Sequence, residues 1–446
     1  MKFYYTIAIK SIGLSCFFLL STVLLAQKFT DSPYSRYGVG LLNSTVTNGN
    51  FAMGRAGYAW RPFQYKPIVY DSLARSNAQL NDRGTNYINL KNPASFSNIS
   101  LTTFEASIIS RNVNYSNAAE ERSGTNTQLG HMNIALPMGE KWGIAFGLRP
   151  FSSVGYDYSS QEIINSNTVT YLFEGKGGVN EIFAGTAIEL IPNLSLGIRG
   201  KFLFGTIEDD RRIIYEQSTN FFNTIDQKQT QVSDFAVDLG AQYRFKLGKD
   251  NLWTVGLFAS PMDQLSTKET QIIRTYEGEI NFESIKDTVK LLDEQSSTLP
   301  IAPTFGLGIA YEKKGEWLIT ADITSRQWQN TTFSEGIELS SSTEYNFGFE
   351  KFNSSNSFGP FLSRMGYRTG LRYNSSLLTI DGEEIEEFGI GFGIAVPLRK
   401  SFSTLNVGIE IGRRGNQKNN LTQEDFLNLQ IGITINDKWF IKRVYD

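Results

Sequence analysis

The chain has 446 residues, with 42 Lys and Arg against 45 Asp and Glu, a formal net charge of −3, one cysteine and one histidine. That slight acidity offers no electrostatic footprint for nucleic acid. One cysteine excludes an intrachain disulfide and a thiolate metal cage, and one histidine leaves little room for general-base chemistry.

Lys2 and Lys10 flank the start of an uncharged apolar stretch, Ile12 to Ala26, that is short for a membrane-spanning helix. A basic start, an apolar core and a small residue at its end predict a secretory signal peptide over 1–26, cleaved after Ala26. Cys16 lies inside the apolar core and not after it, which argues against lipidation. Cleavage leaves no cysteine and 40 basic residues against 45 acidic ones. No second long apolar run follows, yet the chain holds 32 Phe, 20 Tyr, 6 Trp and 40 Gly. An exported chain of this kind is either a large secreted β-protein or an outer-membrane β-barrel.

Residues 27–102 show no strand period. They carry turn-formers, Gly54 and Gly57, and two prolines within 61–67. Their aromatic residues, Tyr34, Tyr37, Phe51, Tyr58, Trp60 and Phe63, favour packing against something over a solvated tail.

From Thr103 onward the period is two. Alternation is weakest over 103–115 and clear at Trp142, Ile144, Phe146 and Leu148. It recurs over 235–245, 305–311, 345–349, 367–373, 388–396, 405–411 and 427–435. One face of each strand therefore meets an apolar medium and the other a polar one. The polar set is rich in Gly and includes Arg199, Asp238, Arg244, Arg368, Arg372 and Glu410, which should point inward. Ile198, Leu239, Leu371 and Ile409 should face lipid. Trp142, Trp253, Trp317 and Trp439 each follow a short polar turn, as an interfacial aromatic ring requires and a sandwich core does not. Short turns also alternate with long polar segments at 159–178, 217–228 and 276–297, the periplasmic and extracellular asymmetry of a barrel. The expected fold is all-β: a transmembrane antiparallel β-barrel of about fourteen strands over 103–446. Residues 27–102 would form a hatch in a lumen too wide for wall side chains to fill.

Pro150 interrupts the third strand. Proline brings no N–H to the ladder, so a carbonyl beside it must find another donor. The stretch Arg149, Pro150, Phe151, Ser152, Ser153 and Gly155 is therefore a candidate opening. Ser152 and Ser153 would offer hydroxyl donors, Gly155 would permit a bend, and Arg149 would point into the lumen toward an anionic head.

Other signals are weaker. His131, in LGHMNIALPM, should point inward and hydrogen-bond, so no catalytic residue is assigned. GKGGVNE lacks the Lys-Ser/Thr and helix of a phosphate loop and reads as a bulge. The clusters Glu208-Asp209-Asp210 and Glu383-Glu384-Glu386-Glu387 read as solvated loop charge, and no metal ligand or cofactor is expected.

Asn92, Pro93 and Ala94, in NLKNPASFS just before the first strand, resemble the Asn-Pro-Ala motif in the hatch of the outer-membrane long-chain fatty-acid transporter family (FadL-like). SPYSRYGVG, MGRAGYA, GKGGVNEIFAG and the ending NDKWFIKR also resemble divergent members of that family. The resemblance implies a fourteen-stranded barrel with an N-terminal hatch that takes up hydrophobic, long-chain fatty-acid-like molecules passively. It also implies lateral release beside a kinked third strand. The setting would be the outer membrane of a Gram-negative bacterium, with lipid and lipopolysaccharide as neighbours and the chain a monomer. A second use of the same barrel is docking or shuttling in a protein-secretion system.

Overall fold

The computed structural model describes residues 30, 32–61, 87–118, 120–164, 167–215, 221–248, 250–280, 282–328, 331–334, 337–339, 341–352, 360–375, 378–398 and 403–437. The leader, Phe63 with its flanking prolines, and Trp439 lie outside them.

Alternating sequence becomes wall. The strands are β1 (Thr102–Ser116), β2 (Glu121–Pro137), β3 (Trp142–Ile164), β4 (Asn167–Ile191), β5 (Leu194–Tyr215) and β6 (Asn223–Lys246). β7 runs over Asn251–Ser260 and resumes as Gln264–Glu277, and β8 runs over Ser284–Pro300 and resumes as Thr304–Lys313. β9 (Trp317–Arg326), β10 (Ser342–Lys351), β11 (Gly366–Asn374), β12 (Glu387–Pro397), β13 (Thr404–Arg414) and β14 (Gln423–Asp437) complete the wall. Each pairs antiparallel with the next, and β1 closes on β14 from Thr102↔Asp437 to Ser116↔Gln423. This is a closed fourteen-stranded barrel.

The outer wall is apolar. Ile198, Leu239, Leu371 and Ile409 are each more than 40% exposed, while Arg199, Asp238, Arg244, Arg368, Arg372 and Glu410 are buried inside. Near the short-turn end the rings of Trp253, Tyr311, Trp317 and Phe349 follow one another across β7 to β10 at 4.8, 5.2 and 6.4 Å between centroids. A band of exposed aliphatics with an aromatic rim is the surface of a barrel seated in a bilayer. Leu239→Arg should therefore lower folding stability by about 2–4 kcal/mol if it lies near the midplane. Denaturant titration in lipid vesicles measures this; an unchanged midpoint would place Leu239 outside the bilayer.

The described residues of the long polar segments at 159–178, 217–228 and 276–297 are largely strand, not loop. β3 to β6 have 23, 25, 22 and 24 residues, whereas β9 to β12 have 10, 10, 9 and 11. At roughly 3.3 Å per residue, the β3–β8 side rises well past the membrane band. There the outer face meets water in place of lipid, so the alternation that marks a strand in sequence fades while the ladder continues.

Residues 32–61 and 87–101 run inside the lumen, and most are buried. They follow a girdle of inward glycines. A methyl group on Gly197 would lie 2.4 Å from the Pro93 carbonyl carbon, on Gly240 2.1 Å from Asn92 Oδ1, and on Gly256 2.0 Å from the Tyr58 carbonyl. The same holds at Gly370 against Gly54 N (2.2 Å) and at Gly432 against Asn48 Oδ1 (2.0 Å). The girdle continues in register: Gly197 pairs with Gly240, Gly256 with Gly308, and Gly348 with Gly370, which pairs with Gly391. The glycines that alternate with lipid-facing residues thus clear a track for the inner chain.

Ion pairs fasten it there. Asp322 accepts the backbone N–H groups of Gly57 (2.6 Å) and Tyr58 (3.0 Å), with Lys91 Nζ 3.4 Å away. Glu410 holds Arg55 and Arg372, each at 2.6 Å, and Arg199 donates to the Leu90 carbonyl at 2.6 Å.

Candidate functional site

β2 and β3 pair only from Pro137↔Gly143 to Met132↔Leu148. Above Leu148 the two strands share no ladder. β3 stays paired with β4 as far as Ile164↔Asn167, with one irregularity between Pro150↔Asn180 and Ser152↔Val179 that leaves Phe151 bulged. Opposite that bulge β4 carries Gly177 and Gly178 at φ 110° and 150°. A methyl group there would lie 2.1 Å from the Thr206 carbonyl or 2.5 Å from the Ser152 carbonyl. GKGGVNE is thus the place where β4 follows the bend of β3.

The inner segment takes the edge that β2 leaves. Leu41 and Leu42 pair with Ser153 and Ser152, and Asn43 N–H donates to the Phe151 carbonyl at 2.8 Å. The serine hydroxyls do not serve as the expected donors: Ser153 Oγ accepts from Asn43 Nδ2 at 3.0 Å, and Ser152 Oγ has no partner among the described residues. A backbone N–H on an added strand satisfies the carbonyl in better geometry than a short hydroxyl on its own strand. Gly155 also plays a different part from a bend. Its N–H and C=O both engage Ser35 Oγ (3.0 and 2.9 Å), and a methyl group on it would lie 1.7 Å from the Thr30 carbonyl. Arg149 does point inward. It binds Glu181 at 2.8 Å and donates to the Asn43 carbonyl at 3.3 Å.

Asn92, Pro93 and Ala94 open a short 3₁₀ turn, Pro93–Asn98, seated on the inner wall. Asn92 Nδ2 donates to the carbonyls of Tyr58 (2.8 Å), Ala241 and Leu257 (both 3.1 Å), and its Oδ1 accepts Ala94 N–H at 3.0 Å. Ala241 and Leu257 face each other on β6 and β7, so one amide spans two wall strands.

Above the inner segment lies a cavity of ≈ 190 Å³. One part of its lining is apolar: Val39, Leu42, Phe151, Leu203, Met262 and Ile301. The other is basic, with Arg55, Lys91, Arg111, Arg149, Arg199, Lys201, Arg326, Arg372 and Arg414. Asp238 serves both Lys201 (2.6 Å) and Arg199 (2.9 Å), while Glu344 serves Arg326 at 2.6 Å. Glu387 holds Arg372 and, at 2.7 Å, Arg414. Glu387 is therefore interior and ion-paired, not solvated loop charge, because β12 begins there and turns it inward. Asp209 is likewise engaged, accepting the Tyr156 hydroxyl. A smaller cavity of ≈ 40 Å³ lies at the unladdered seam, lined by Phe51, Ile109, Leu129, Gly130 and Pro150. The two share Asn43, Ser44, Arg55, Arg111 and Arg149.

A four-stranded sheet, Thr331–Ser334, Ile337–Leu339, Leu378–Ile380 and Glu383–Glu384, lies beyond the long-strand end of the cavity. Tyr34, Trp328 and Ile385 pack against its Leu339 and Leu378. Burial raises the Tyr34 and Tyr37 phenols above their ordinary values, so both stay neutral. His131 is buried, its Nδ1 2.9 Å from Ser107 Oγ and its Nε2 3.8 Å from Glu105. His131, Ser107 and Glu105 line neither cavity, whereas Tyr34 and Tyr37 line the larger one.

The family profile described as BamG matches residues 8–62 and 79–446, nearly the whole chain. The chain belongs to the BamG family. No curated protein matches it in sequence. Among solved structures it is similar to a Pseudomonas aeruginosa FadL homologue, at 10% identity over 90% of this chain and 100% of that one, with a TM-score of 0.54. It is also similar to the Pseudomonas putida toluene transporter TodX (13% identity, 89% and 99% covered, TM-score 0.53). The Ralstonia pickettii toluene transporter TbuX gives 10% identity, 88% and 98% covered, and a TM-score of 0.53. At such identities the likeness is one of fold, and the family is BamG.

Proposed function

We propose that this BamG-family barrel is an outer-membrane channel for passive uptake of hydrophobic small molecules, with residues 27–102 as its hatch. The molecules would be long-chain fatty-acid-like and leave sideways at the seam between β2 and β3. The observation that carries the reading is adjacency: the amphipathic cavity shares five lining residues with the small cavity at the seam. Apolar lining suits an alkyl chain, and the basic side suits an anionic head. Arg111, Arg149 and Arg55 stand where the two cavities meet. The seam cavity has room for a few waters and less than an acyl chain needs, so passage requires residues 41–43 to let go of β3. The solved structures of similar fold include toluene transporters, which is consistent with a hydrophobic cargo. Lipid and lipopolysaccharide surround a monomer in this reading.

The test is uptake of radiolabelled oleate by laboratory cells that lack their own long-chain fatty-acid channel. Pro150→Val restores the missing N–H and favours a β2–β3 ladder, so uptake should fall about tenfold in a barrel that still assembles. Assembly with uptake at the wild-type rate would contradict the reading and favour docking in a secretion system, which needs no opening in the wall.

A further inference from the structure

The wall loses its ladder at a second place. β6 pairs with β7 from Lys246↔Leu252 to Leu239↔Ala259 and again from Val232↔Thr267 to Asn223↔Tyr276, leaving 233–238 and 260–266 unladdered between. β7 itself breaks at 261–263 and β8 at 301–303, joined there by Ile301 N–H to the Asp263 carbonyl at 3.0 Å. Pro261, Pro300 and Pro303 supply the cause, since each lacks a ladder donor. The only side chain bridging β6 to β7 within this gap, among the described hydrogen bonds, is Asp234. Its carboxylate accepts Ser266 N–H and Phe235 N–H, both at 2.7 Å.

The two sides of this gap differ. Outside, Phe235 is 76% exposed and stacks near Phe202, with 4.7 Å between ring centroids, while Phe202 in turn stacks on Phe204 at 5.8 Å. Inside, Lys201, Ser260, Met262 and Ile301 line the amphipathic cavity. Lys201 Nζ is 3.3 Å from Ser260 Oγ and 2.6 Å from Asp238, which it shares with Arg199. On its other side the cavity is lined by Leu339 and Leu378 of the small four-stranded sheet and by Trp328 and Ile385, which pack with them.

Resting on the uptake reading, we propose that the gap between β6 and β7 is the outer mouth of the cavity. A single-chain amphiphile with an anionic head enters there from the membrane, past the phenylalanine collar, and Lys201 and Ser260 receive its head. Asp234 is the latch, and release of its hydrogen bond to Ser266 N–H frees the 261–266 segment to move. The seam between β2 and β3 is then the exit, on another part of the wall.

Cysteine pairs test this. Asp234→Cys with Ser266→Cys fastens the mouth, and Asn43→Cys with Ser153→Cys fastens the inner segment to β3 at the seam. With radiolabelled oleate as probe, oxidised D234C/S266C should take up about fivefold less than its reduced form. Wild-type uptake by oxidised D234C/S266C, beside blocked uptake by oxidised N43C/S153C, overturns the mouth and leaves the seam standing. Wild-type uptake by both overturns both. If the cysteine pair fails to assemble, Met262→Trp fills the gap from the lumen side, and uptake at the wild-type rate overturns the mouth equally.

Discussion

Replacing Asn92 by alanine should unseat the inner segment. Its amide is the donor to three carbonyls, two of them on adjacent wall strands, and its carbonyl oxygen caps the turn that begins at Pro93. Each buried polar group left unmatched costs about 1–3 kcal/mol, and no water-filled surface is at hand to compensate. Gly240, stripped of a side chain to admit Asn92, would then border an empty site. A loss of about 2–4 kcal/mol is expected, read as a lower unfolding temperature and as new tryptic cleavage at Lys91 and Arg55. Asn92→Asp keeps the shape and the cap but supplies no donor, so it should cost nearly as much. If Asn92→Asp matches the wild type, the donor bonds are not what holds the segment.

The second large effect is at the seam. Asn43 Nδ2 lies 3.0 Å from Ser153 Oγ, and Asn43 N–H holds the Phe151 carbonyl. A disulfide between positions 43 and 153 would make that contact permanent. Because the seam cavity is smaller than an acyl chain, the locked protein should take up oleate about tenfold more slowly, with full recovery on reduction. Thermal stability should rise in the oxidised form. A lock that raises stability and leaves uptake untouched would show that residues 41–43 need not move.

Much of this was legible in the sequence wherever a strand has lipid on one side. Ile198 beside Arg199 and Ile409 beside Glu410 declare their faces because two media select them. Past the membrane band that selection ends, and 159–178 or 276–297 read as loop although the ladder continues through most of their length. Pro150 marked the loss of pairing between β2 and β3, but nothing at 41–43 announced the strand that fills the gap, since two residues are too few to alternate. The inward glycines were visible as a set. Their purpose, a track for the inner chain, depends on contacts between residues as far apart as Asn48 and Gly432. Glu387 looked like one of four loop acids because its partners, Arg372 and Arg414, come from β11 and β13. The prolines at 261, 300 and 303 were as readable as Pro150, yet their meaning appears only when β7 and β8 stand side by side.

The central claim is lateral passage between β2 and β3. The most direct measurement is photolabelling of the assembled barrel in membranes with a diazirine-bearing hexadecanoate, followed by mapping of the modified residues by mass spectrometry. Lateral passage predicts adducts at Leu129, Gly130, Ile109 and Phe51 around the seam cavity, suppressed by unlabelled oleate. Adducts confined to lipid-facing residues such as Leu239, Leu371 and Ile409, and unchanged by oleate, would contradict it.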